Sequence, residues 1–113
     1  MIKDVKVYLS DILDSITLIE SYMSGIDYDH FLINRQVQDA VVKRFEVIGE
    51  AVKRLDKDFR DIHPELPWKG MIGLRDILVH DYDKVILEEL WKLINNGDLQ
   101  SVKEQVIKVL ANI

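Results

Sequence analysis

Arg75 and His80 stand five positions apart in the stretch WKGMIGLRDILVHDY, residues 68–82, and Tyr82 follows two positions later. A histidine exchanges a proton near neutral pH, and a guanidinium can grip a phosphate through paired N–H donors while stabilising charge as it builds. Together these side chains suit RNA cleavage, in which the 2′-hydroxyl attacks the neighbouring phosphate and no metal is required. That reaction wants a base and an acid, and a single chain offers one such histidine. A two-fold dimer with its two copies side by side would supply the second.

Wound at about 100° per residue, the stretch is apolar over most of its circumference. Trp68, Met71, Ile72, Leu74, Ile77, Leu78 and Val79 leave a narrow polar strip of Lys69, Gly73, Asp76 and His80. Arg75 projects from the middle of the apolar arc. An unpaired guanidinium in such surroundings costs several kcal/mol, so it must find an anion or open onto a cleft. One reading is a structural salt bridge to a neighbouring helix, the usual fate of a buried arginine. The other is a site for an anionic ligand. His80 falls where the helix should stop, and Asp76 lies one turn before it on the same strip, within reach. The plainer alternatives are a surface histidine for His80 and a tyrosine packed against the helix end for Tyr82.

Other elements must hold this helix. A first helix over about residues 3–23 carries Val5, Leu9, Ile12, Ile16, Ile19 and Met23 at 4-3-4-3-4 spacing, with Gly25 placed to end it. A second begins between Asp29 and Asn34, either of which could cap it, and continues to about residue 57. Within it, Gly49 costs about 1 kcal/mol relative to alanine, which marks a close approach of two helices. Glu46 and Glu50, i and i+4 beside that glycine, are the candidate anions for Arg75. Residues 59–67 form a connector, with Pro67 placed as the first residue of the third helix. A fourth helix over about 84–95 is capped by Asp83. In Asn96-Gly97-Asp98, Gly97 closes that helix and Asp98 caps a fifth, which carries Leu99, Val102, Val106, Val109 and Ile113. The pattern predicts an all-α antiparallel bundle of four to five helices in a single domain, residues 1–113.

Composition narrows the chemistry. The chain has 113 residues, 48% apolar and 31% charged, with five glycines and two prolines, a balance for one helical core. There is no cysteine, which excludes thiolate chemistry and fits a reducing cytosol. No apolar run approaches the ~20 residues that span a bilayer, and the acid-bearing N-terminus resembles no signal peptide. A cytoplasmic location without membrane attachment is therefore expected. The net charge of -5 argues against a general nucleic-acid coat protein. Asp76 and His80 could be two metal ligands, with His30 or His63 joining them, but zinc takes three or four and no HExxH is present. Neither a glycine-rich phosphate loop nor GxSxG occurs. Neither a metal nor a cofactor is expected.

RDILVHDY resembles the R-x4-H-x-Y signature of the HepT branch of the HEPN superfamily, and EVIGEAVKRL and PWKGMIGLR resemble the same branch. The three segments together are specific, and the likeness covers essentially the whole chain. It implies a small helical bundle that forms a homodimer and acts as a metal-independent endoribonuclease. Arg75 and His80 of two protomers would form the site at the interface, with Asp76 as the polar residue that often follows the motif arginine. It also implies a toxin of a toxin–antitoxin pair, whose cognate antitoxin is a minimal nucleotidyltransferase of the MntA type. That partner would transfer AMP to Tyr82, placing bulk and negative charge where the RNA phosphate binds. Asp81 stands where the branch often has glycine and adds a carboxylate beside the RNA path. The acidic surface and Asp81 also fit a rival reading, a non-catalytic docking subunit for a nucleotidyltransferase.

Overall fold

Apolar side chains recurring every three or four residues wind the chain into helices that each bury one stripe. The computed structural model describes residues 2–80 and 82–113, with side chains from Asp4 onward. Among these residues there are seven helices and no strand. They are α1 (Ile2–Met23), α2 (Tyr28–Ile33), α3 (Arg35–Arg54), α4 (Lys57–Asp61), α5 (Trp68–Leu78), α6 (Lys84–Asn95) and α7 (Asp98–Ala111). The all-α bundle read from the sequence is what forms.

Helix α3 is the central element. It packs on α1 and on α5, while α7 closes against α1, and α6 bridges α7 and α2. Leu9, Ile12, Ile16 and Ile19 of α1 are completely buried, as are Val41 and Val52 of α3, with Phe45 and Ile48 nearly so. A salt bridge from Lys103 to Glu20, 2.6 Å, ties α7 to α1 at the margin of that core.

Two short helices were not expected, and each has a local cause. The single second helix is instead broken at Asn34, whose backbone N–H donates to the His30 carbonyl at 2.9 Å. The Asn34 side chain meanwhile accepts from the Val37 N–H at 3.1 Å, so one residue closes α2 and opens α3. Asp27, not Asp29, caps α2 by accepting from the His30 N–H at 2.8 Å. The resulting bend drives Phe31 fully into the core, and Gln38 Nε2 donates to its carbonyl at 2.8 Å. Helix α3 ends at Arg54 rather than near 57, and α4 follows as a separate turn.

The connector is held by Trp68, whose indole N–H is shared between the carbonyls of Arg60 (3.1 Å) and His63 (2.9 Å). Pro67 lies one position earlier than expected, as the N-cap of α5. Asp83 caps α6 as expected, accepting from the Ile86 N–H at 3.0 Å. Gly97, with φ of +97°, is itself the N-cap of α7, so Asp98 falls inside the first turn rather than at the cap. That left-handed angle suits glycine alone among common residues.

At Gly49 the backbones of α3 and α5 come close. A β-carbon there would overlap the Cβ of Arg75 and stand 2.9 Å from both the Arg75 Cγ and the Met71 carbonyl oxygen. Backbone cannot yield as a flexible side-chain tip can. Gly49→Ala should therefore destabilise by about 1–3 kcal/mol through overpacking, outweighing its gain in helix propensity. Gly70→Ala on α5, with nothing within 4 Å, should gain up to about 1 kcal/mol. Denaturant unfolding of the two variants should show shifts of opposite sign.

Candidate functional site

The close approach at Gly49 decides where Arg75 sits. Its stem lies against α3, and its guanidinium spans two carboxylates. Arg75 Nη2 meets Glu50 Oε2 at 3.1 Å, and Nη1 meets Asp76 Oδ1 at 3.0 Å. Glu50 also stands 4.0 Å from Arg54 Nε. Of the two glutamates expected as partners, the structure selects Glu50. Glu46, one turn earlier and half-buried, takes no part in the bridge. The Arg75 side chain remains 26% exposed, so the paired guanidinium is still open to solvent.

Asp76 serves Arg75 rather than His80. Among the described residues the His80 imidazole has neither a hydrogen bond nor an ion pair, and it stands exposed. Its backbone N–H donates to the Ile77 carbonyl at 3.4 Å in the turn that ends α5. The helix stops there as expected. Ile77 and Val79 flank the histidine and are about half exposed, at 50% and 45%. A groove of about 790 Å³ runs between α5, α6 and α7, lined by Met71, Leu74, Ile77, Ile86, Leu93 and Val102 among others.

Tyr82 belongs to a separate cluster that sequence reasoning missed. Its hydroxyl donates to Asp39 Oδ1 of α3. Arg35 Nε donates to the same oxygen at 3.0 Å, and the guanidinium carbon lies 5.5 Å from the centre of the Tyr82 ring. The hydrogen bond from Tyr82, and then that from Arg35, hold the Asp39 carboxyl below its usual range. Burial, and then the bond and charge of Asp39, push the Tyr82 phenol above its usual range. The Arg35–Asp39 pair is an ordinary i, i+4 match in the sequence. Nothing in the local pattern ties it to a tyrosine 43 positions away.

The remaining candidates disperse. His30 bonds to Asp27 at 2.8 Å, and His63 lies 3.5 Å from Glu65 with its ring against Phe59. Among the described residues no three His, Cys, Asp or Glu side chains gather to hold a metal ion, and no helix is long and apolar enough to cross a membrane. Asp81 lies outside the described residues.

Comparison with known proteins places the chain in a family. A family model described as "Ribonuclease HepT-like" matches residues 12–109. A probable ribonuclease HepT of Thermococcus cleftensis is 40% identical over 104 residues, covering 92% of this chain and 94% of that protein. A candidate RNase of Methanocaldococcus jannaschii is 39% identical, over 92% of this chain and 94% of that one. A further protein of the same organism, named as a γ-glutamylcyclotransferase and candidate RNase, is 41% identical over the whole of this chain, which spans only 50% of it. No solved structure matches. By the family model and these relatives together, the chain belongs to the HepT-like family.

Proposed function

We propose that this protein is a metal-independent endoribonuclease toxin whose site is completed when two copies pair along α5. The observation that carries the reading is the setting of Arg75 on α5 and His80 in the turn that ends it. The guanidinium is fixed by backbone packing at Gly49 yet partly open to solvent, and an unengaged imidazole stands exposed at the end of the same helix. In the paired form one His80 takes the proton from the 2′-hydroxyl as its oxygen bonds to phosphorus. The other protonates the departing 5′-oxygen, and Arg75 stabilises the charge on the phosphoryl oxygens. Asp76 and Glu50 hold the guanidinium fork in place, and an entering phosphate displaces the more exposed Asp76.

A minimal nucleotidyltransferase antitoxin silences the enzyme by transferring AMP to Tyr82, two residues from His80. Support comes from the family relationship and from a phenol that reaches the surface in its own charged cluster. One observation favours the rival reading of a non-catalytic docking subunit: Arg75 is already paired with two carboxylates, as a structural arginine is. RNA cleavage separates the two. Purified, AMP-free protein should cut tRNA or mRNA, whereas intact RNA alongside normal partner binding would leave the docking role.

His80→Ala and Arg75→Ala should each lower cleavage by roughly 10²-fold or more and relieve growth arrest on expression alone. Persistent toxicity in both would place the activity elsewhere. Ile77→Asp should convert the dimer to monomer on size-exclusion chromatography and remove cleavage with it. Because Ile77 is half exposed in the protomer, unfolding of the isolated chain should change little.

A further inference from the structure

The Arg35–Asp39–Tyr82 cluster has no part in the RNA chemistry assigned to Arg75 and His80, and its geometry is that of an acceptor hydroxyl already joined to a base. The Tyr82 hydroxyl donates to Asp39 Oδ1, and Arg35 Nε donates to that same oxygen at 3.0 Å. Asp39 and Arg35 are exposed and Tyr82 is half-buried, so the cluster can be reached by a large partner. Beside it lies a cavity of about 600 Å³ bounded by Arg35, Gln38, Tyr82, Lys84 and Leu87 among others. That volume suits a nucleotide-sized group, and Arg35 and Lys84 border it together with the carboxylates of Asp29 and Asp83.

We propose that Asp39 is the general base for nucleotidyl transfer to Tyr82, with Arg35 as the residue that positions it. This rests on the reading of Tyr82 as the acceptor. In the step, the phenolic oxygen attacks the α-phosphorus of a nucleoside triphosphate presented by the partner transferase. The bond from that phosphorus to the bridging oxygen breaks, pyrophosphate leaves, and the phenolic proton passes to the Asp39 carboxylate and then to solvent.

The two acidities explain why a base is needed and how it works. Burial and the neighbouring carboxylate make free phenolate scarcer than for an ordinary tyrosine. Asp39, held low by its two donors, is ionised throughout the neutral range but is a weak base toward a resting phenol. Transfer ahead of bond formation is therefore uphill. As the oxygen–phosphorus bond forms, the phenolic proton becomes strongly acidic, and a carboxylate already hydrogen-bonded to it can accept it in the same step. Arg35, while paired with Asp39, also lines the cavity.

The test is the rate of AMP incorporation from MgATP labelled in the α-phosphate, using the full chain and its cognate minimal nucleotidyltransferase. Asp39→Asn keeps the size of the side chain and an oxygen to accept from the hydroxyl, but a carboxamide cannot take the proton. The expected result is a loss of at least about 10²-fold at pH 7. The ratio of variant to wild-type rate should then climb about tenfold per pH unit toward pH 9, since the variant must await spontaneous phenolate. An unchanged rate overturns the assignment. So does a loss whose ratio to wild type is flat with pH, because that is the behaviour of a purely structural side chain. Wild-type protein that takes no label, or Tyr82→Phe labelled as fast as wild type, would remove Tyr82 as acceptor and this inference with it.

Discussion

The approach of α3 to α5 at Gly49 is the constraint on which the rest of the arrangement depends. Any side chain at that position would meet the stem of Arg75 and the Met71 carbonyl, so the two helices can touch only where α3 has none. Glycine within a helix sacrifices stability, and the return is a fixed contact between backbones. That contact turns an arginine inside an apolar arc from a liability into a group held by Glu50 and Asp76. Removing one partner of such a bridge leaves an uncompensated charge. Partial exposure softens that cost, and it also leaves the guanidinium accessible.

The same contact sets the direction of everything after Arg75. Met71 and Arg75 lie beside Gly49, whereas Tyr82 lies beside Asp39, so α3 and the chain from α5 onward run in opposite senses. The eleven positions from Asp39 to Glu50 correspond to about 16 Å along the helix axis. Two charged clusters are thus mounted on one helix, with His80 in the turn between their partner residues. Each cluster places a carboxylate of α3 against a group of opposite or donating character: a guanidinium at one end and a phenol at the other.

Much of the fold was legible because it follows from period and capping chemistry, which are local. Leu9, Ile12, Ile16 and Ile19 repeat at helical spacing and are all fully buried, while Asp83 caps α6 and Gly25 takes a positive φ after α1. The break at Asn34 was less legible. Asp27, Asp29 and Asn34 can all cap a helix, and the choice depended on burying Phe31 and satisfying its carbonyl with Gln38. Likewise Gly97 took the cap expected of Asp98, because Asn96 Oδ1 accepts from the Asp98 N–H at 2.9 Å.

The sequence by itself determined that Arg75 needed an anion, that Gly49 marked a close contact, and that His80 would stand at a helix end. These follow from the energetics of a buried charge and from the cost of glycine within a helix. Only the tertiary structure decided between Glu46 and Glu50, since both share a helical face and the crossing of α5 settles which one the guanidinium reaches. It alone turned Asp76 toward Arg75 and joined Tyr82 to Asp39 and Arg35. Contacts between residues 43 positions apart are set by how helices cross, and no local periodicity encodes a crossing.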